Sequence, residues 1–226
     1  MIYIATENLE NIDVARVQEH YRALSVYRKT KADKSDKNYK KYCQSVEAAY
    51  LLEKTLQEKF GILMGTAEYE TGEHGKPFVK GRPDIVFNVS HTENAVMAAF
   101  AIDETSSDGA PCVSVGCDIE AIKERPADRR LAEKYFSKEE AEYVMRKGEF
   151  DTEAFLRIWT IKESFGKALG TGLAYSLPGI RVAFDCDSNM RFWQEVFDGE
   201  VVFSTPRTEN SDCVASVCVL YRNRKG

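Results

Sequence analysis

The run Phe155-Leu-Arg-Ile-Trp-Thr-Ile-Lys-Glu-Ser-Phe-Gly-Lys-Ala-Leu-Gly170 constrains the fold of this 226-residue chain more than any other stretch. Phe155, Ile158, Trp159, Phe165 and Leu169 recur at helical spacing, so one stripe faces a core. The same helix sets Glu163 and Lys167 one turn apart and presents two charges at one place. Taken alone, that pair is an intrahelical contact on a solvated face, worth about 0.2 to 0.5 kcal/mol.

A second acidic element lies upstream in Val113-Ser-Val-Gly-Cys-Asp-Ile-Glu-Ala-Ile122. Val113, Val115, Cys117 and Ile119 alternate with Ser114, Gly116, Asp118 and Glu120, which is the period of a half-buried strand. Asp118 and Glu120 therefore share one strand face, roughly 6.5 to 7 Å apart. Like charges beside a core repel unless a cation stands between them. A hard divalent ion such as Mg²⁺, held by Asp118, Glu120 and a third carboxylate from a facing helix, would remove the repulsion. An edge strand with a solvated outer face explains the alternation equally well.

A hydrophobic share of 43% allows a proper core, in one domain or two small lobes. Six cysteines at 43, 112, 117, 186, 213 and 218 show no C-x-x-C and no metal spacing, as expected of reduced thiols. The first residues lack a basic segment followed by a long apolar run, and no window approaches a membrane span. The expectation is a cytoplasmic chain without membrane contact. A net charge of -5 argues against nucleic-acid binding, which depends on positive charge meeting phosphates.

Along the chain, residues 2 to 5 read as a strand and 12 to 26 as a helix. Tyr27 to Lys41 holds seven cations against two aspartates, the composition of a solvated connection. A helix follows over about 42 to 60, ended by Gly61. Gly72 to Pro77 is a turn, and 85 to 89 and 95 to 102 are strands of a hairpin. Ser90 and His91 do not make a hydrolase dyad, because neighbours on extended chain point to opposite sides and no Gly-x-Ser-x-Gly elbow exists. Asp103 to Pro111 is small, polar and turn-rich, which marks a boundary between lobes 1–105 and 106–226. Pro126 opens a helix running to Tyr135, and Ser137 with Glu140 reads as a capping box. Turns at Thr171-Gly172 and Asp187-Ser-Asn189 introduce and punctuate short strands near 180–184, 190–193, 200–203 and 214–221. The class is α+β, with strands and one long helix in each lobe.

Gly116-Cys-Asp-Ile-Glu120, Phe136-Ser-Lys-Glu-Glu140 and Trp159-Thr-Ile-Lys-Glu-Ser-Phe-Gly-Lys167, preceded by Gly75-Lys-Pro77 and Phe87-Asn-Val-Ser-His91, resemble the ordered signature of the 4'-phosphopantetheinyl transferases of the surfactin-synthetase-activating type. The resemblance implies two similar lobes related by a pseudo-two-fold, with the site between them. It implies transfer of 4'-phosphopantetheine from coenzyme A to a serine of an apo acyl or peptidyl carrier protein, with release of 3',5'-ADP. Mg²⁺ would be held by Asp118, Glu120 and Glu163. Coenzyme A would be met by Arg28, Lys31, Lys76, Ser90, His91, Lys162 and Lys167. Glu140 would take the serine proton, unless its capping box holds it away, in which case Glu163 becomes the base. The likeness departs at Gln44, where the family has an arginine for the 3'-phosphate; Lys40 and Lys41 stand just before it. Two lobes in one chain imply a monomer. Another Mg²⁺-dependent nucleotide phosphotransferase lacks support because no P-loop is present. A non-catalytic carrier-binding module would have no need of the three acids.

Overall fold

The computed structural model describes residues 1–9, 13–34, 38–72, 75–102, 113–145, 148–171, 179–185, 189–207 and 212–222. The expected lobe boundary at 103–111, part of the basic stretch (35–37), His74, Gly172 and most of the turn at 187–189 lie outside them. Two three-stranded antiparallel sheets form the centre. In the first, β1 (Ile2–Asn8) and β4 (Ile85–His91) flank β5 (Ala95–Ile102). In the second, β6 (Val113–Ala121) and β9 (Gly199–Ser204) flank β10 (Cys213–Arg222). Helix α3 (Tyr39–Phe60) lies on the first sheet, its Leu52 and Leu56 buried with Phe87 and Phe100. Helix α6 (Thr152–Leu169) lies across the second, its Phe155, Ile158 and Phe165 buried in one cluster with Cys218 and Leu220 of β10. Both long helices end on left-handed glycines, Gly61 at φ 70° and Gly170 at φ 79°.

The sheets meet through small side chains. Ala95, Met97, Ala99 and Ala101 of β5 are buried with Val115, Cys117 and Ile119 of β6 and Val217 and Val219 of β10. Period two on β6 thus sends its odd residues to the other sheet and its even residues, Asp118 and Glu120 among them, toward α6. The solvated outer face considered for this strand does not exist: both faces are covered, and Asp118 is 5% exposed. Even the free edge of β6 is occupied. The Cys117 N–H donates to Asn88 Oδ1 (2.9 Å) and the Ala121 N–H to Thr92 Oγ1 (3.0 Å). Asn88 and Thr92 share one side of the chain leaving β4, so their side chains supply the acceptors that a neighbouring strand would have given.

Gly116 sets how near α6 comes. A Cβ there would overlap the Ser164 carbonyl oxygen and the Ala168 nitrogen, both of them helix backbone. Glycine is needed for space alone, since its φ lies outside the left-handed range that only glycine favours. That backbone-on-backbone contact brings Glu163 and Lys167 over Asp118.

Smaller elements complete each half: α1 (Val14–Ala23), α2 (Val26–Asp33) and the ribbon of β2 (Tyr69–Thr71) with β3 (Pro77–Val79) in the first, then α4 (Asp128–Tyr135), α5 (Lys138–Val144) and the ribbon of β7 (Ile180–Phe184) with β8 (Met190–Gln194) in the second. The helix expected over 12–26 stops at Ala23, and the expected basic connection contains α2. Ser25 restarts the chain by accepting the Arg28 N–H, and Leu24 takes an extended ψ of 153° between the two helices. Gly116→Ala will lower unfolding stability by about 3 kcal/mol or more, read by chemical denaturation, because neither colliding backbone atom can move without lifting α6.

Candidate functional site

Three side chains from distant segments meet where α6 crosses β6. The Lys167 ammonium, from the last turn of α6, lies 2.6 Å from Asp118 Oδ1 and 3.1 Å from Ser90 Oγ of β4. The Ser90 hydroxyl donates to the same Asp118 oxygen at 3.0 Å. Asp118 Oδ2 is buried and has no hydrogen-bond partner among the described residues. Burial pulls the Lys167 pKa down, but the charge of Asp118 leads the effects that outweigh it and hold it above its ordinary value. Glu163, one turn back, is pushed up to about 7, first by burial and then by Asp118, with Lys167 opposing and Glu120 adding to the rise. Burial also raises Glu120, although Arg125 pairs with it at 2.6 Å. The acids therefore feel one another, as their placement on facing elements predicts.

Among the described residues no three His, Cys, Asp or Glu side chains close into a group able to hold a metal. Chemically, the acids still suit a hard cation: all donors are oxygens, one buried oxygen of Asp118 is unanswered among the described residues, and burial and the charge of Asp118 hold Glu163 back from ionising. Glu120 is the member held aside, by Arg125.

Beside this cluster is a cavity of about 240 Å³ lined by Tyr27, Arg28, Lys31, Pro77, Val89 and His91 among others. Arg28 is 7% exposed, with its guanidinium 4.4 Å from the Tyr69 ring centre and 5.3 Å from that of Phe87. Its Nε and Nη2 are buried without partners. The aromatic faces hold the cation in place and leave Nε and Nη2 without a directed bond, so an anion entering here finds donors already stripped of water. The structure brings together Arg28, Lys31 and His91, and puts Ser90 with Lys167 next door. Gln44 lies in neither group: its amide donates to the Thr92 carbonyl (2.8 Å) and braces α3 against the end of β4.

Three expected positions need correction. Lys162 is fully buried and faces α5 and β7 rather than the cluster, because one residue along a helix turns its side chain about 100° away from that of Glu163. Its ammonium meets Glu140 Oε2 (2.7 Å), the Ile180 carbonyl (3.0 Å) and the Tyr135 carbonyl (3.3 Å). Glu140 is equally committed: Oε2 also accepts the Ser137 N–H in the capping box, and Oε1 accepts the Val182 N–H at 2.7 Å. Neither residue has an atom to offer a phosphate or a serine proton. Lys76 does not stand in an open turn either, for its ammonium is surrounded by protein oxygens of β6 and α6.

Residues 114–218 match the family model of the 4'-phosphopantetheinyl transferase superfamily. This stretch belongs to that superfamily. The chain is 33% identical over 144 residues to the 4'-phosphopantetheinyl transferase psf-1 of Bacillus pumilus, covering 62% of this chain and 57% of that protein. It is 28% identical over 176 residues to the 4'-phosphopantetheinyl transferase Sfp of Bacillus subtilis, covering 76% and 73%. The chain thus spans between about half and three quarters of these transferases. A crystal structure of a holo-(acyl-carrier-protein) synthase from Bacillus anthracis in complex with CoA (3',5'-ADP) matches 49% of this chain and 96% of its own at 20% identity and a TM-score of 0.39.

Within this matched stretch, Arg125 is the residue that spacing did not reveal. It follows Glu120 by five positions in a loop, where no helical or strand period connects the two. Tyr69 was also silent, since its place under Arg28 depends on a short ribbon whose strands have only three residues each. Glu163 supplies the pH test for the cluster. A carboxyl whose folded pKa lies above its unfolded value stabilises below about pH 4.5 and loses that contribution as pH rises through about 7. Metal-free Glu163→Gln should therefore melt higher than the parent chain at pH 8, and the gain should vanish by about pH 4.5 in thermal scans.

Proposed function

We propose that this chain transfers the 4'-phosphopantetheine arm of coenzyme A to a serine of an apo acyl or peptidyl carrier protein and releases 3',5'-ADP. The observation that carries the reading is the Lys167, Asp118 and Ser90 cluster standing beside a cavity lined by a buried guanidinium whose Nε and Nη2 have no partner among the described residues. A substrate with a diphosphate at one end and a separate phosphate at the other suits that pair of sites. In the reaction the carrier serine oxygen bonds to the β-phosphorus, the bond from that phosphorus to the bridging oxygen breaks, and 3',5'-ADP leaves with the electron pair.

Residue roles follow from position. Arg28 and Lys31 take the 3'-phosphate, with His91 lining the same cavity. Lys167 sets positive charge at the diphosphate, while Asp118 and Ser90 aim its ammonium. Glu163 receives the serine proton, a role that falls to it because Glu140 is held in its capping box and by the Val182 N–H. Magnesium, held by Asp118 and Glu163 and by Glu120 once Arg125 lets go, would offset the charge of the diphosphate and its leaving group. Residues 1–105 and 106–226 act as the two lobes, and since both contribute to one cluster, a monomer has a complete site. A cytoplasmic enzyme fits this substrate, and no helix among the described residues is long and apolar enough to cross a membrane.

Incubation with coenzyme A, Mg²⁺ and apo carrier proteins of both classes, followed by intact-mass measurement, should show the gain of one phosphopantetheine. No gain on any carrier would overturn the reading. Asp118→Ala should slow transfer by about 10² to 10³-fold with an unchanged circular dichroism spectrum, because Lys167 loses its anchor. Dephospho-coenzyme A should bind roughly ten- to a hundredfold more weakly than coenzyme A in calorimetry, the loss of charged hydrogen bonds to Arg28 and Lys31. Equal affinities would remove those residues from the site.

A further inference from the structure

Lys76 is a half-buried residue whose ammonium meets no carboxylate among the described residues. Its ammonium donates to Ser114 Oγ (3.0 Å), the Val115 carbonyl (2.8 Å) and the Lys167 carbonyl (3.1 Å), and the Ala168 carbonyl lies at 3.5 Å. An ammonium has three hydrogens, so four protein oxygens leave none for a ligand. The acceptors belong to β6 and to the last turn of α6, where carbonyls lack helical partners and a cation complements the negative end of the helix dipole. Ser114 strengthens the same junction by donating to the Ala168 carbonyl at 2.6 Å. Burial lowers the Lys76 pKa to about 8, which still leaves it protonated at neutral pH.

The next residue, Pro77, lines the Arg28 cavity. Lys167, held at its carbonyl by Lys76, is held at its ammonium by Asp118 and Ser90. One lysine therefore joins the wall of the cavity to the helix end that carries the other lysine. We propose that Lys76 is a positioning residue that fixes the last turn of α6, and through it the Lys167 ammonium, at a set distance from the Arg28 cavity. This rests on the transfer reaction proposed above, and it replaces the phosphate contact that the sequence likeness implied for Lys76.

The test compares Lys76→Met, close in length and without charge, with the parent chain. Expected are a fall in kcat of at least tenfold, a coenzyme A dissociation constant within threefold of the parent's, and faster amide exchange at residues 166–170. Weaker coenzyme A binding with an unchanged saturating rate would make Lys76 a substrate contact and overturn the proposal. A lowered melting temperature with full kcat below the transition would also overturn it, by reducing the role to stability. If Lys76→Met fails to fold, Ser114→Ala keeps the lysine and removes one of its acceptors; it should move kcat and amide exchange the same way by less, and no movement in either counts against the proposal. Should the parent chain transfer nothing to any carrier, the proposed function falls, and amide exchange in the variant alone decides whether Lys76 holds the helix end.

Discussion

The site depends on how closely a helix backbone approaches a strand backbone. At Gly116 the two come near enough that no side-chain atom fits between them, so Lys167 reaches Asp118 Oδ1 at 2.6 Å. The strength of a charge pair depends on distance and on the exclusion of water; the close crossing provides the short distance and buries the Asp118 end, while the Lys167 side chain stays partly open to a ligand. Ser90 arrives from the other sheet because the edge of β6 is open to the side chains of β4. A cluster made of three distant segments is thus the product of one missing methyl group and one unpaired strand edge.

Buried polar groups here fall into two kinds. The pair of Lys162 and Glu140 is answered at each end, by two carbonyls and two backbone N–H groups, and it ties α5 and β7 to α6. Such a pair holds a shape, and breaking it by removing one partner would leave a charge stranded in the core. Asp118 Oδ2 and the Nε and Nη2 of Arg28 are the reverse, desolvated by the fold and left without partners among the described residues. Their desolvation has already been met in folding, so a ligand that supplies the missing partners gains the full interaction. The contrast between the two kinds is what separates framework from site in this molecule.

Period and punctuation made much of this legible in the sequence. The alternation over 113–121 put Asp118 and Glu120 on one face, the helical stripe put Glu163 and Lys167 on another, and Ser137 with Glu140 announced the capping box that forms. What could not be read was direction around an axis. Lys162 and Glu163 are neighbours in sequence, and only the register of α6 against β6 decides that the first turns inward and the second toward the cluster. Lys76 was expected to meet coenzyme A from its turn, yet the side chain runs inward to oxygens as many as 92 positions away. The basic stretch concealed α2 for a similar reason: charge predicts solvation, while Arg28 is buried against rings supplied by Tyr69 and Phe87.

The alanines of β5 act as a spacer. Ala99 and Ala101 are fully buried in one cluster with the valines and Cys117 of the other sheet, so that part of the seam is thinner than the part filled by Met97 and Ile119, and the opening between the halves inherits that spacing. A larger residue at either alanine would act as a wedge, separating Ser90 from Asp118 without touching any charged group. The width of the cleft is therefore written in uncharged side chains on the far side of β6, where no chemistry would draw attention to them.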